Sequence, residues 1–138
     1  MPKEVITGAS VSIATIALAP WVKKVTITQT ADPKETTAFG QAAVARVGGL
    51  VDYEISIDWF GDYATTPSPY SALQGLINTI VVCAVKKSTA ATSATNPLFT
   101  GSFLVTEFPF IDAEHGEVHE FSTTWPYAGG TVITPATS

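Results

Sequence analysis

Residues 50–60, Leu-Val-Asp-Tyr-Glu-Ile-Ser-Ile-Asp-Trp-Phe, alternate apolar and polar side chains almost without error. A period of two is the signature of a pleated strand. Val51, Tyr53, Ile55, Ile57 and Trp59 fall on one face, and Asp52, Glu54, Ser56 and Asp58 on the other. One face is therefore core and the other acidic. At about 3.3 Å per residue the run reaches roughly 36 Å, longer than most strands and long enough to cross a small domain or enter a shared sheet.

The chain of 138 residues has material for one core of ordinary size. We expect a single domain over 1–138. Only 14% of its residues are charged against 46% hydrophobic, where soluble domains carry roughly 25% charge. That balance fits a surface covered by other subunits, or a monomer coated in Thr and Ser. The formal net charge of −5 argues against a protein that grips DNA or anionic lipid, which needs a basic patch. Charge is also uneven: residues 1–50 carry +2 and the remainder −7. Such polarity lets one copy attract the opposite end of the next.

The single cysteine, Cys83, lies in an apolar run and reads as a buried, inert thiol with no intrachain disulfide. The longest apolar stretch, 11–21, is interrupted by Ser12, Thr15 and Pro20 and is too short to span a bilayer. Ile16-Ala17-Leu18-Ala19 faintly resembles a signal-peptide cleavage site, but Gly8 and Ser10 break the run before it and secretion is not favoured.

Along the chain, a first strand is expected within 5–18 and a second over 21–30, ended by Asp32-Pro33 because proline cannot donate to a ladder. Residues 31–49 form a long connection, too apolar for a linker; a helical turn is expected at 41–46, closed by Gly48-Gly49. We read this segment as an arm that docks on something. Ser68-Pro69 opens a helix of about three turns to Asn78, with Tyr70, Leu73, Leu76 and Ile77 at helical spacing. A buried strand over 79–85, a Ser/Thr/Ala-rich loop over 86–96, strands over 99–108 and 118–125, and a short final strand over 131–134 complete the pattern. The fold class expected is mainly β, an antiparallel sandwich or partial barrel with one short flanking helix.

No phosphate loop, dinucleotide fingerprint, nucleophile elbow or paired-cysteine motif is present. His115 and His119 stand four apart amid Glu114, Glu117 and Glu120, but Gly116 argues against a helix, and along a strand this spacing separates them by about 13 Å, too far to share an ion. Asp52 and Glu54 would lie about 6 to 7 Å apart, the separation of a hydrolase pair. No cleft or raised pKa is indicated beside them; Trp59 falls on the core side and Trp125 near the chain end. No enzyme activity, cofactor or metal is expected, and the acidic row awaits a context.

In order along the chain, Trp21-Val22-Lys23-Lys24-Val25-Thr26-Ile27-Thr28, Ala31-Asp32-Pro33-Lys34-Glu35-Thr36-Thr37-Ala38-Phe39-Gly40, the alternating strand, the helix around Leu73, Thr100-Gly101-Ser102-Phe103-Leu104-Val105-Thr106 and Phe121-Ser122-Thr123-Thr124-Trp125-Pro126 with its Gly130 turn resemble the tail tube proteins of long-tailed bacteriophages. The resemblance spans about 20–134. It implies a β-sandwich with a flanking helix, and hexameric rings stacked into a tube that conducts DNA from capsid to host, each subunit giving four strands to a barrel of twenty-four. It implies tape-measure, tail-terminator and distal-tail proteins as partners, assembly in the bacterial cytoplasm and residence in the virion tail. On this reading Asp52, Glu54 and Asp58 face the bore. The arm, with Lys34, Glu35, Phe39, Val44 and Arg46, reaches between subunits or rings, its cations meeting an acidic hairpin of Asp112, Glu114, Glu117 and Glu120. The competing readings are a β-sandwich binding or capsid-decoration module, a small hydrolase using Asp52 and Glu54, and a secretion-system tube of similar fold.

Overall fold

The computed structural model describes residues 8–62, 68–111 and 115–137. Among these residues, seven strands, one short α-helix and one 3-10 turn follow in order: β1 (Ser10–Ile13), β2 (Ile16–Ala17), the 3-10 turn (Ala19–Trp21), β3 (Val22–Glu35), β4 (Arg46–Phe60), α1 (Pro69–Leu73), β5 (Ile80–Lys86), β6 (Phe99–Leu104) and β7 (Glu120–Pro126). Two antiparallel sheets result, one ordered β2-β1-β5-β6 and the other β3-β4-β7. They meet at one corner, where Phe103 bridges Tyr127 and the Ala128 N–H donates to the Ser102 carbonyl at 2.8 Å. The expected mainly β sandwich or partial barrel is what forms, with no closed barrel among the described residues.

The alternating run forms the last eleven residues of β4, which begins four residues earlier than expected. Register then follows from burial. Ile27, Ile55 and Trp125 stand side by side across β3, β4 and β7, and Trp59 pairs with Phe121. Tyr53, Ile55, Ile57, Trp59 and Trp125 are buried against Ile13, Cys83 and Phe103 of the other sheet. The buried indole of Trp59 donates to Thr123 Oγ1 at 3.0 Å, and that of Trp125 to the Glu107 carbonyl at 3.0 Å. Neither ring leaves an orphaned donor in the core, which would cost about 1–3 kcal/mol.

Several boundaries differ from expectation. Asp32-Pro33 does not end β3, which runs on to Glu35; β3 is an edge strand, where proline is tolerated, and the register shifts between Ala31 and Pro33. Gly48-Gly49 lie within β4 rather than closing a helix, and no helical turn forms at 41–46. Gly49 is needed there: a Cβ would stand 2.2 Å from the Asp32 carbonyl oxygen. Helix α1 has five residues, not three turns. Its start is as read, with Ser68 and Ser71 capping each other's backbone, but Asn78 takes a left-handed φ of 65° and its N–H crosses to the Val105 carbonyl, turning the chain into β5. β5 is covered on one face only, so Val81 and Cys83 are buried while Ile80 and Val82 are exposed. Residues 131–134 form no strand. The Ile133 N–H is taken by the Tyr53 hydroxyl and the Thr131 carbonyl by the Tyr127 hydroxyl, so tyrosine side chains replace a ladder.

Burial pushes the Cys83 thiol from 9.0 up to about 12. The folded state thus holds the proton more tightly than the unfolded chain. The thiol's contribution to stability is complete below about pH 9 and is lost as pH rises from there toward 12. Urea unfolding across that window should show stability falling more steeply than in Cys83→Ala, and the native thiol should resist alkylation at pH 8 until the chain is unfolded.

Candidate functional site

β3, β4 and β7 present one broad face away from the core. In register across it stand Lys24, Asp58 and Ser122; then Thr26, Ser56 and Thr124; then Thr28, Glu54 and Pro126; then Thr30 and Asp52. The three acids expected on one face do share it, and Asp52 and Glu54 are exposed. Asp58 is half-buried and accepts from Ser122 Oγ at 2.7 Å, while Asp52 Oδ1 accepts from the Tyr53 N–H at 2.9 Å. Asp52 and Glu54 stand exposed on the open sheet face, two residues apart on β4.

Two further features mark this face. Hydroxyls of Thr26, Thr28, Thr30, Ser56, Ser122 and Thr124 outnumber the carboxylates, a signal visible in the Thr alternation of 26–30 once β3 and β4 are paired. Lysines occupy one end. Lys24 lies opposite Asp58, and Lys23 Nζ reaches Glu120 Oε2 at 3.2 Å. The far end, with Asp52 and Glu54, carries negative charge alone.

The acidic sheet has three strands within one protomer, and the four-stranded sheet is the other one. The four-strand contribution implied by the resemblance would draw in β6, whose Phe103 bridges Tyr127 just past the end of β7.

The arm is a hairpin. β7 pairs with β4 only from Glu54 to Phe60, so residues 31–35 and 46–51 continue as a two-stranded ribbon, exposed at every position but Gly49. Its tip closes on the Gln41 side-chain oxygen, which accepts from the Ala38 N–H, and on Thr37 Oγ1, which accepts from the Ala45 N–H at 2.8 Å. Gly40 turns the chain with a φ of 87°. Phe39 is fully exposed at this tip, and Val44, Val47 and Leu50 are exposed along the ribbon. Lys34 Nζ lies 2.6 Å from Asp32 Oδ2 of its own strand, whereas Glu35 and Arg46 face each other in register. Within the protomer, Lys34 thus pairs inside the arm and Arg46 lies across the ladder from Glu35. Of the acidic hairpin, Glu117 and Glu120 are exposed; Asp112 and Glu114 lie outside the described residues.

His119 serves packing. Its carbonyl accepts from the Gly61 N–H at 2.7 Å, its ring lies 6.1 Å from that of Phe121, and a Cβ on Gly61 would stand 2.0 Å from His119 Nδ1. Among the described residues no cluster of three His, Cys, Asp or Glu side chains is placed to hold a metal ion.

No protein-family model and no curated protein matches the chain. Solved structures do. A chain from the virion of a native gene transfer agent particle superposes with a TM-score of 0.62 at 16% identity, over 83% of this chain and 85% of that one. A chain from the tail of an empty gene transfer agent particle of C6 symmetry gives 0.60 at 15% identity, over 83% and 82%. The fold is therefore one found in the virion and tail of gene transfer agent particles. It extends over most of both chains, the sandwich included, although sequence identity is too low to carry residue roles across.

Gly61→Ala should drive its methyl into the His119 ring and cost about 1–3 kcal/mol, read as a lower urea midpoint with unchanged slope. An unchanged midpoint would show that the 60–62 turn and the start of β7 move apart freely.

Proposed function

We propose that this protein is a structural subunit of a virion tail, forming six-membered rings that stack into a hollow tube through which DNA passes. The observation that carries the reading is the fold shared across most of both chains with a tail component of C6 symmetry. Two physical features support it. A two-stranded ribbon bearing Phe39, Val44, Val47 and Leu50 in water is marginal alone and gains by docking on another copy. A sheet face of hydroxyls and carboxylates suits a wall past which a polyanion moves, because basic side chains would bind phosphate after phosphate and hold it.

Six three-stranded contributions give eighteen strands, and a fourth strand from each would give twenty-four. With strands about 4.8 Å apart and tilted about 40°, the barrels measure about 36 and about 48 Å across, and either leaves a bore for duplex DNA. Closure also removes the open edge of β3. In this reading Asp52, Glu54 and Asp58 face the bore, and six copies at −5 place −30 on each ring. Phe39 and Val44 anchor the arm on a neighbouring subunit or ring. Tape-measure, terminator and distal-tail proteins are the partners such a tube requires at its centre and ends.

Electron microscopy of the concentrated protein, with sedimentation alongside, tests the assembly. Hollow tubes or six-fold rings are expected, and a species that stays monomeric at all concentrations, even with tail-tip initiator proteins present, would overturn it. Replacing residues 36–45 by a two-residue turn should leave the sandwich folded, since none of them is in the core, yet abolish polymerisation; tubes of normal length from this variant would refute the role of the arm. Asp52→Asn, Glu54→Gln and Asp58→Asn together should preserve assembly and slow DNA release from particles. Lost assembly with normal release from residual particles would remove the acids from the bore.

A further inference from the structure

The sandwich is not closed along its β3 edge. Val25 and Ile27 stand opposite Ile57 and Ile55 in register, yet the β4 pair is fully buried and the β3 pair only half so. Between them and Val85 of β5, Phe99 of β6 and Ile133 lies a cleft of about 290 Å³ with no charged residue in its walls. At its Val25 end it adjoins a wider groove rimmed by Lys23, Lys24, Lys86 and Lys87; Gln29 marks its other end. A cavity of about 150 Å³ lined by apolar side chains holds benzene, so this cleft admits a phenyl ring. The chain carries a matching group. Residues 36–45, Thr-Thr-Ala-Phe-Gly-Gln-Ala-Ala-Val-Ala, have no charge, and Phe39 at the arm's tip is fully exposed.

We propose that Phe39 of one copy enters this cleft in the next, from the Gln29 end and away from the lysines. The contact rests on the self-assembly proposed above and names the surface that receives the arm. A protomer cannot fill its own cleft. The β3–β4 ladder continues to Glu35 and Arg46, which carries the chain about 20 Å beyond Gln29, and the four residues on to Phe39 add at most about 13 Å. The receiving copy is therefore offset from the giving one by about 20–33 Å along the ribbon. Giver and receiver use different surfaces, so the contact is heterologous and repeats from copy to copy, as stacking requires. Charge also matches. A neutral tip in a neutral cleft strips water from no ion, whereas exposed Ile111 adjoins Asp112 in the chain and would bring a carboxylate with it. One phenyl ring buries about 150–250 Å², well under the roughly 1,200 Å² of a stable pair. The contact thus holds in an array, with Val44, Val47 and Leu50 of the ribbon laid on the partner as well, rather than in an isolated dimer.

Two single-site variants test the contact, Ala38→Cys beside the ring and Gln29→Cys at the mouth of the cleft, prepared separately with different tags; native Cys83 is buried and stays silent toward maleimides. Mixed under assembly conditions and treated with a short bismaleimide, they should yield pairs joining the two tags, about tenfold above pairs formed by either variant alone. Substitution of the ring reads the contact without cysteines. Phe39→Ala should leave the urea midpoint of the dilute protein unchanged, because the ring is fully exposed. It should raise the concentration for half-assembly about tenfold or more, while Phe39→Leu, which keeps most of the apolar area, stays within about threefold of wild type. Loss of assembly in Phe39→Ala without the selective cross-link would overturn the cleft as receiver and keep the arm. Rings or tubes that ignore Phe39→Ala would overturn the contact and leave self-assembly standing. Wild-type protein that never assembles would overturn both.

Discussion

Burial of Tyr53, Ile55, Ile57 and Trp59 on one side of β4 decides where everything else goes. With Ile55 set between Ile27 and Trp125, a slip of one residue against either neighbour would turn Asp52, Glu54 and Asp58 into the core and the aromatic side chains into water. Unpaired burial of three carboxylates costs far more than a sheet of this size can recover, so register is specified strongly. The polar face is thus a by-product of the apolar one. Its Ser and Thr rows are held opposite one another because the apolar side chains behind them fit in only one alignment.

The same constraint runs out at Asp52. Beyond it β4 loses β7 and gains no core beneath, and the side chains of residues 46–51 turn outward on both faces. What began as the most strongly specified strand becomes a ribbon held only by its partner strand. Leu50, Val47, Val44 and Phe39 are exposed along it, and lysines ring the apolar groove at the β3 edge. Both features lie at the flanks of the β3-β4-β7 sheet, away from its broad hydroxyl face.

Much of this was legible in the residues. The alternation of β4 gave its inward and outward faces, and Ser68-Pro69 gave the start of α1, because both rest on strictly local chemistry. The arm was located, but its form was not: Asp32-Pro33 looks like a stop, and only the edge position of β3 makes proline harmless there. The β1–β2 hairpin turns through Ala14 and Thr15 at φ 52° and 67°, where glycine or asparagine would ordinarily announce the bend. Residues 11–18 consequently read as one run. The lysine groove was invisible for another reason. Lys23 and Lys24 are 63 residues from Lys86 and Lys87, and only the closing of one sheet over the other brings them together.

Pro33 sets a limit on how the ribbon can behave before it finds a partner. A long edge strand with an apolar ribbon at its end is a template for indiscriminate strand addition, the route to amyloid-like aggregation. A residue without an N–H, next to a register shift that twists the strand, interrupts that template where the ribbon leaves the sandwich. The arm is left able to associate through its side chains but poor at recruiting another backbone. Pro33 thereby lets the ribbon carry its apolar side chains in water without offering a continuous backbone ladder beside them.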